Sequence, residues 1–129
     1  MKTQPITLIV SDIPLTVCRL GGADLIPDWA VQGAFFSITR TAEELSVVCP
    51  EKLVPKDVRS ERGWRALRVA GVIDFSVIGL LAGLTAPLAE AGISVFAIST
   101  YDTDYLLVRE HDLERAIELL RNAGDILDR

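Results

Sequence analysis

The stretch Ser94-Val95-Phe96-Ala97-Ile98-Ser99-Thr100-Tyr101-Asp102-Thr103-Asp104-Tyr105-Leu106-Leu107-Val108-Arg109-Glu110 decides how this chain folds. Two apolar runs, Val95–Ile98 and Tyr105–Val108, flank a short polar link, Ser99–Asp104, that carries Asp102 and Asp104. Short runs rich in β-branched and aromatic residues, joined by a few polar ones, read as a β-hairpin. Helical spacing precedes the hairpin from about Ser76 to Ala91, where Ile78, Leu81, Leu84 and Leu88 recur on the face that should meet a sheet. A second helix follows from Asp112 to Ala123, with Leu113, Ala116, Ile117 and Leu120 as its apolar stripe. With a strand at Ala66–Ala70, the C-terminal half reads β-α-β-β-α.

That order is most of a ferredoxin-like unit. Its boundaries carry local signals. Ser76 or Asp74 can cap the first helix, and Gly92 stands where a left-handed C-cap residue belongs. Pro87 lies inside the pattern and predicts a kink. Asp112 is the N-cap of the second helix, Glu114 complements its dipole and Gly124 ends it. The last strand is supplied by Asp125–Arg129, which is short and half charged, or by Ile6–Val10 crossing between halves.

Upstream, Ile6–Val10, Leu15–Leu20, Ala34–Arg40 and Leu45–Cys49 are short β-prone runs, with one turn of helix at Ile26–Trp29 and another at Glu51–Val54. The same order as the second half, in reduced form, predicts an internal duplication with little residue identity. Pro55–Gly63 is the natural linker by composition, which divides the chain into residues 1–60 and 61–129.

At 129 residues the chain can bury roughly two-thirds of its unfolded surface. Net charge is −5; the part to Ser60 holds six basic and seven acidic residues, the rest seven basic and eleven acidic. An acidic chain is a poor partner for phosphate backbones, so no nucleic acid is expected, and Arg59, Arg62, Arg65 and Arg68 read as a solvated stripe or as intramolecular ion pairs. The longest apolar stretch, Val77–Leu88, falls far short of the roughly 20 residues a membrane span needs, and the N-terminus has no leader pattern. Cys18 and Cys49 lie in apolar runs without redox or zinc spacing and read as buried structural thiols. The expectation is a soluble cytoplasmic protein.

Catalytic patterns are thin. His111 is the only histidine and stands at a helix start; no nucleophile, phosphate-binding or dinucleotide motif is present, and Asp102 with Asp104 supplies too few ligands for calcium. No enzyme activity, metal or cofactor is expected. Asp102 reads as a solvated turn residue, and Trp29 and Trp64 as packing residues. The region Ala70–Gly79 leaves a strand and enters a helix N-terminus, where free N–H groups favour a small carboxylate. Asp104 could meet an ammonium or guanidinium group, and the two features together suit a zwitterionic amino acid.

The pieces Phe35-Phe36-Ser37-Ile38-Thr39, Ala86-Pro87-Leu88-Ala89-Glu90 and Ser99-Thr100-Tyr101-Asp102-Thr103-Asp104-Tyr105, running into Leu107-Val108-Arg109-Glu110, resemble the ACT-type regulatory domains. Within them the chain is similar to the tandem-ACT group that includes the CASTOR-type arginine sensors. The resemblance implies an α+β chain of two ferredoxin-like βαββαβ subdomains in tandem, with antiparallel sheets. It also implies that Gly71, Val72, Ile73, Asp74, Ser76, Thr100, Tyr101 and Asp104 contact an amino acid or similar small zwitterion. Those sensors place their ligand between two tandem units. The single unit here therefore implies a homodimer, built on the first helix and the Val95–Ile98 strand, that acts on a partner enzyme or regulator. The alternative is an interaction or oligomerisation module with a vestigial ligand site.

Overall fold

Local constraints on the backbone set where each element begins and ends. The computed structural model describes residues 5–74 and 78–129. In chain order come β1 (Thr7–Val10), β2 (Leu15–Gly21), a 3-10 turn at Asp28–Val31, β3 (Ser37–Arg40), β4 (Glu44–Pro50) and a 3-10 turn at Glu51–Leu53. They are followed by β5 (Ser60–Val69), α1 (Leu80–Glu90), β6 (Val95–Ser99), β7 (Asp104–Arg109), a 3-10 turn at Glu110–Asp112, α2 (Leu113–Asn122) and β8 (Ile126–Asp128).

Two compact units result: unit 1 is Met1–Asp12 with Arg65–Arg129, and unit 2 is Ile13–Trp64. This differs from a division into residues 1–60 and 61–129, for a physical reason. β1 ladders to β5, with Leu8 opposite Val69 and Val10 opposite Leu67, and runs parallel to β8, so the first residues of the chain belong with the last. The last four residues of the expected linker are also not a linker. Ser60 and Glu61 already pair with Cys18 and Val17 of β2, and Gly63, at φ +83°, lies inside β5 where that ladder shifts register.

Unit 1 has the strand order β6-β7-β5-β1-β8. Both candidates for a last strand are therefore used: Ile126–Asp128 forms the edge, and β1 is inserted between it and β5. α2 is as its spacing requires, with Leu113, Ala116, Ile117 and Leu120 all buried. Asp112 occupies its N-cap position, although its side chain makes no capping bond because a 3-10 turn leads straight into the helix.

α1 departs from expectation at its start. Gly79 is its N-cap, in the left-handed region at φ +81°, and no side chain caps it. The helix therefore begins at Leu80, not near Ser76, and Asp74 is not its cap. Ser76 lies outside the described residues. Leu84 and Leu88 are fully buried, but Ile78 precedes the first turn and is 95% exposed. The other end is as expected: Gly92, at φ +78°, lets its N–H reach Ala89 O at 3.0 Å and that of Ile93 reach Leu88 O at 2.9 Å.

Unit 2 repeats the plan with 3-10 turns in place of helices. Its order is β3-β4-β2-β5, with the β3–β4 hairpin beside β2 as the β6–β7 hairpin of unit 1 is beside β5. Its core gathers Cys18, Leu45, Val47 and Cys49, with Trp29 packed alongside. The register Thr16–Cys49 and Cys18–Val47 sets the two cysteines diagonally on one face, both free and buried. The hydrogen bond from Cys49 lowers the Cys18 thiol below its ordinary value, while that bond and burial push Cys49 up.

Arg65 ties the exit of β1 to the exit of the β6–β7 hairpin. Its Nε and Nη2 donate to Ser11 O at 2.9 and 2.6 Å and its Nη1 donates to Glu110 at 2.8 Å, with only 12% of the side chain exposed. Arg65→Ala should cost about 2 kcal/mol in urea unfolding, because a carbonyl and a carboxylate lose their donor. Arg65→Lys should recover less than half of it, since an ammonium cannot reproduce the fork. A second check concerns the C-terminus, where Arg129 donates to Glu114 at 2.8 Å and holds that carboxyl below its ordinary range. In Arg129→Ala an NMR titration should find the Glu114 carboxyl shifted upward.

Candidate functional site

The candidate residues gather where β5 ends and the β6–β7 hairpin turns, entirely within unit 1. The turn is built by one threonine: Thr100 N–H and Oγ1 donate to Thr103 O at 2.8 and 3.0 Å, and Thr103 N–H returns to Thr100 Oγ1 at 3.2 Å. The hydroxyl of Thr103, a buried residue, then donates to Val69 O at 2.7 Å. Past Val69 the chain reverses at Gly71, φ +83°, where a Cβ would meet nothing within 4 Å. The loop returns to the hairpin through Ile73 N–H, which donates to Asp102 O at 2.6 Å.

A cavity of about 170 Å³ opens between loop and hairpin, lined by Ile73, Asp74, Ser99, Thr100, Tyr101, Thr103 and Asp104. Ser99 Oγ donates to Asp104 Oδ1 at 2.6 Å, which orients that carboxylate. The lining holds two carboxylates and, among the described residues, no cation.

Ile73, Asp74, Thr100, Tyr101 and Asp104 are thus brought together. Gly71 and Val72 belong to the same loop but do not line the cavity, and Val72 is 77% exposed. Ser76 lies outside the described residues. No lining residue comes from α1, so the described cavity lacks the expected helix N-terminus; Gly79 starts that helix five positions beyond Asp74. Ser99 and Thr103 were not anticipated. Ser99 was legible as the partner of Asp104 across the hairpin ends, whereas Thr103 gave no signal, since a buried threonine and an exposed one look alike in a polar turn. Asp102 serves through its backbone carbonyl.

A family model described as an ACT domain matches residues 59–122, and a second model, of an N-terminal domain, matches 15–57. A crystal structure of an Agrobacterium tumefaciens protein superposes with a TM-score of 0.91 at 41% identity, covering 97% of this chain and 93% of that one. The chain belongs to the ACT-domain family.

The human cytosolic arginine sensor for mTORC1, subunit 1, is 37% identical to this ACT protein over 103 residues, 71% of this chain. The chain spans 31% of that sensor's length. The ligand-free regulatory subunit of aspartate kinase from Thermus thermophilus shares the fold, with a TM-score of 0.59 at 11% identity over 89% of this chain and 97% of that one. Among the described residues of this ACT protein, no helix is long and apolar enough to cross a membrane, and no group of three or more His, Cys, Asp or Glu could hold a metal.

The Thr103 hydroxyl tests how the site is held. Thr103→Val keeps the shape but orphans Val69 O, and should cost about 1–2 kcal/mol in urea unfolding. Amide exchange at Ile73 should speed up in the same variant, because the loop is then held to the hairpin by one bond fewer.

Proposed function

We propose that this ACT protein is a regulatory sensor whose cavity takes a small amino acid through its cationic end. The Asp104 carboxylate at the cavity, aligned by Ser99 in a lining without described cations, carries the reading. One similar protein is named an arginine sensor, which agrees with a cationic ligand. In this reading Asp104, already aligned by Ser99, accepts from the ligand's ammonium or guanidinium, and Asp74 adds the second charge.

A second copy of the chain completes the site. Val72 and Tyr101, 77% and 80% exposed beside the cavity, offer apolar surface for a partner to cover. β6, Val-Phe-Ala-Ile-Ser without a charge, has β7 as its described neighbour and offers an edge for association. Ligand bound between copies would favour one dimer geometry and bias contact with a partner enzyme or regulator, so binding appears as a population shift without chemistry.

Thermal unfolding against a panel of amino acids tests this. A cationic amino acid at about 100 times its Kd should add roughly 2.7 kcal/mol, a shift of several degrees, where neutral and acidic ones add nothing. Asp104→Ala should remove the shift. A flat panel, or a shift unchanged in Asp104→Ala, would overturn the assignment.

A further inference from the structure

Unit 2 contains the same corner as the candidate site, filled in a different way. At the hairpin ends Ser99 stands opposite Asp104 in unit 1, and Arg40 opposite Leu45 in unit 2. The turns between them share one bonding pattern. Thr41 N–H donates to Glu44 O at 2.8 Å and Glu44 N–H to Thr41 Oγ1 at 3.1 Å, as Thr100 and Thr103 do at 2.8 and 3.2 Å. Arg40 therefore holds the position of Ser99, and the loop after β2, residues 21–24, holds that of the loop after β5.

In unit 1 the small Ser99 borders an open cavity. In unit 2 the Arg40 guanidinium crosses from hairpin to loop, donating from Nη1 to Gly22 O and from Nη2 to Asp24 O, the latter at 2.9 Å. The Asp24 carboxylate accepts Gly21 N–H at 2.7 Å, which fixes the loop in the form that presents both carbonyls. A Cβ on Gly22 would stand 2.5 Å from Ala42 O, so loop and hairpin tip are in direct contact where unit 1 is open at Gly71.

We infer that unit 2 is a second copy of the site, held shut by its own guanidinium, and that removal of the Arg40 side chain lets a small guanidinium cation from solution take its place. Two convergent carbonyls match the planar fork of a guanidinium and not the point charge of an ammonium. The chain then keeps one open site, with its duplicate serving as a structural corner. The proposal concerns unit 2 alone and does not require the cavity of unit 1 to bind anything.

The test is a titration of Arg40→Ala with methylguanidinium at millimolar concentration, followed by backbone amide NMR, with methylammonium as control. Saturable shifts of the Gly22, Asp24 and Thr41 amides are expected in the variant and not in the wild type, with methylammonium inactive. The melting temperature of the variant, lowered by loss of the bridge, should rise with methylguanidinium while that of the wild type does not. Equal responses in variant and wild type, an equal response to methylammonium, or shifts confined to Gly71–Asp74 would overturn it. Should Arg40→Ala not fold, Arg40→Ser, which places at this position the residue that unit 1 has at Ser99 and leaves no cation there, gives the same readout.

Discussion

A buried hydroxyl must find an acceptor, and that of Thr103 finds the carbonyl of Val69 at 2.7 Å. Val69 is the last residue of β5, so this bond fastens the hairpin turn to the point where the loop departs. Four residues later the loop is fastened again, by Ile73 N–H on Asp102 O. Between the two bonds the chain must reverse, and Gly71 supplies the positive φ that the reversal requires. Asp74 follows the second bond directly and Asp104 follows Thr103 directly. Asp74 and Asp104 both border one cavity because both are tied to the same short circuit of backbone.

The parts of the fold that were legible in the sequence are those decided by periodicity. The stripe Leu113, Ala116, Ile117, Leu120 has one helical solution, and the apolar runs on either side of Ser99–Asp104 have one hairpin solution. Illegible were features set by long-range pairing. Nothing near Thr7–Val10 says that it lies between β5 and β8, since a half-buried strand reads the same beside any neighbour. The start of α1 was misread because Ile78 fits the helical spacing, while Gly79 fixes the boundary through backbone conformation, which spacing does not encode. Thr103 was missed for a related reason: a short polar side chain shows its role only once its acceptor, here Val69 O, is in place.

The two units show how a corner persists when its residues change. Thr41 and Thr100 close their turns with the same pair of backbone and hydroxyl bonds, although the residues between them, Ala42-Glu43 and Tyr101-Asp102, share nothing. A threonine that both donates and accepts at the start of a turn satisfies backbone groups locally, whatever residues form its tip. At the ends of the hairpin the two units differ: Ser99 borders a cavity, whereas Arg40 bridges to the Gly22 and Asp24 carbonyls and Gly22 lies against the hairpin tip.

The energetics of sensing limit what the open corner can do alone. Moving an equilibrium from 1:99 to 99:1 needs a difference in ligand affinity of about 10⁴-fold, roughly 5.5 kcal/mol. Ion pairs on an exposed surface contribute about 0–1 kcal/mol each, because water screens them and competes for both partners. Two carboxylates on an open cavity of about 170 Å³ therefore fall well short of what a switch requires. The same pair, covered and desolvated, interacts several times more strongly. Covering needs apolar surface at the rim, and Val72 and Tyr101 stand there, exposed out of proportion to their hydrophobicity. On the sensor reading, the discriminating energy thus depends less on the acids than on how completely a second copy closes over them, and ligand affinity and dimer geometry become one quantity.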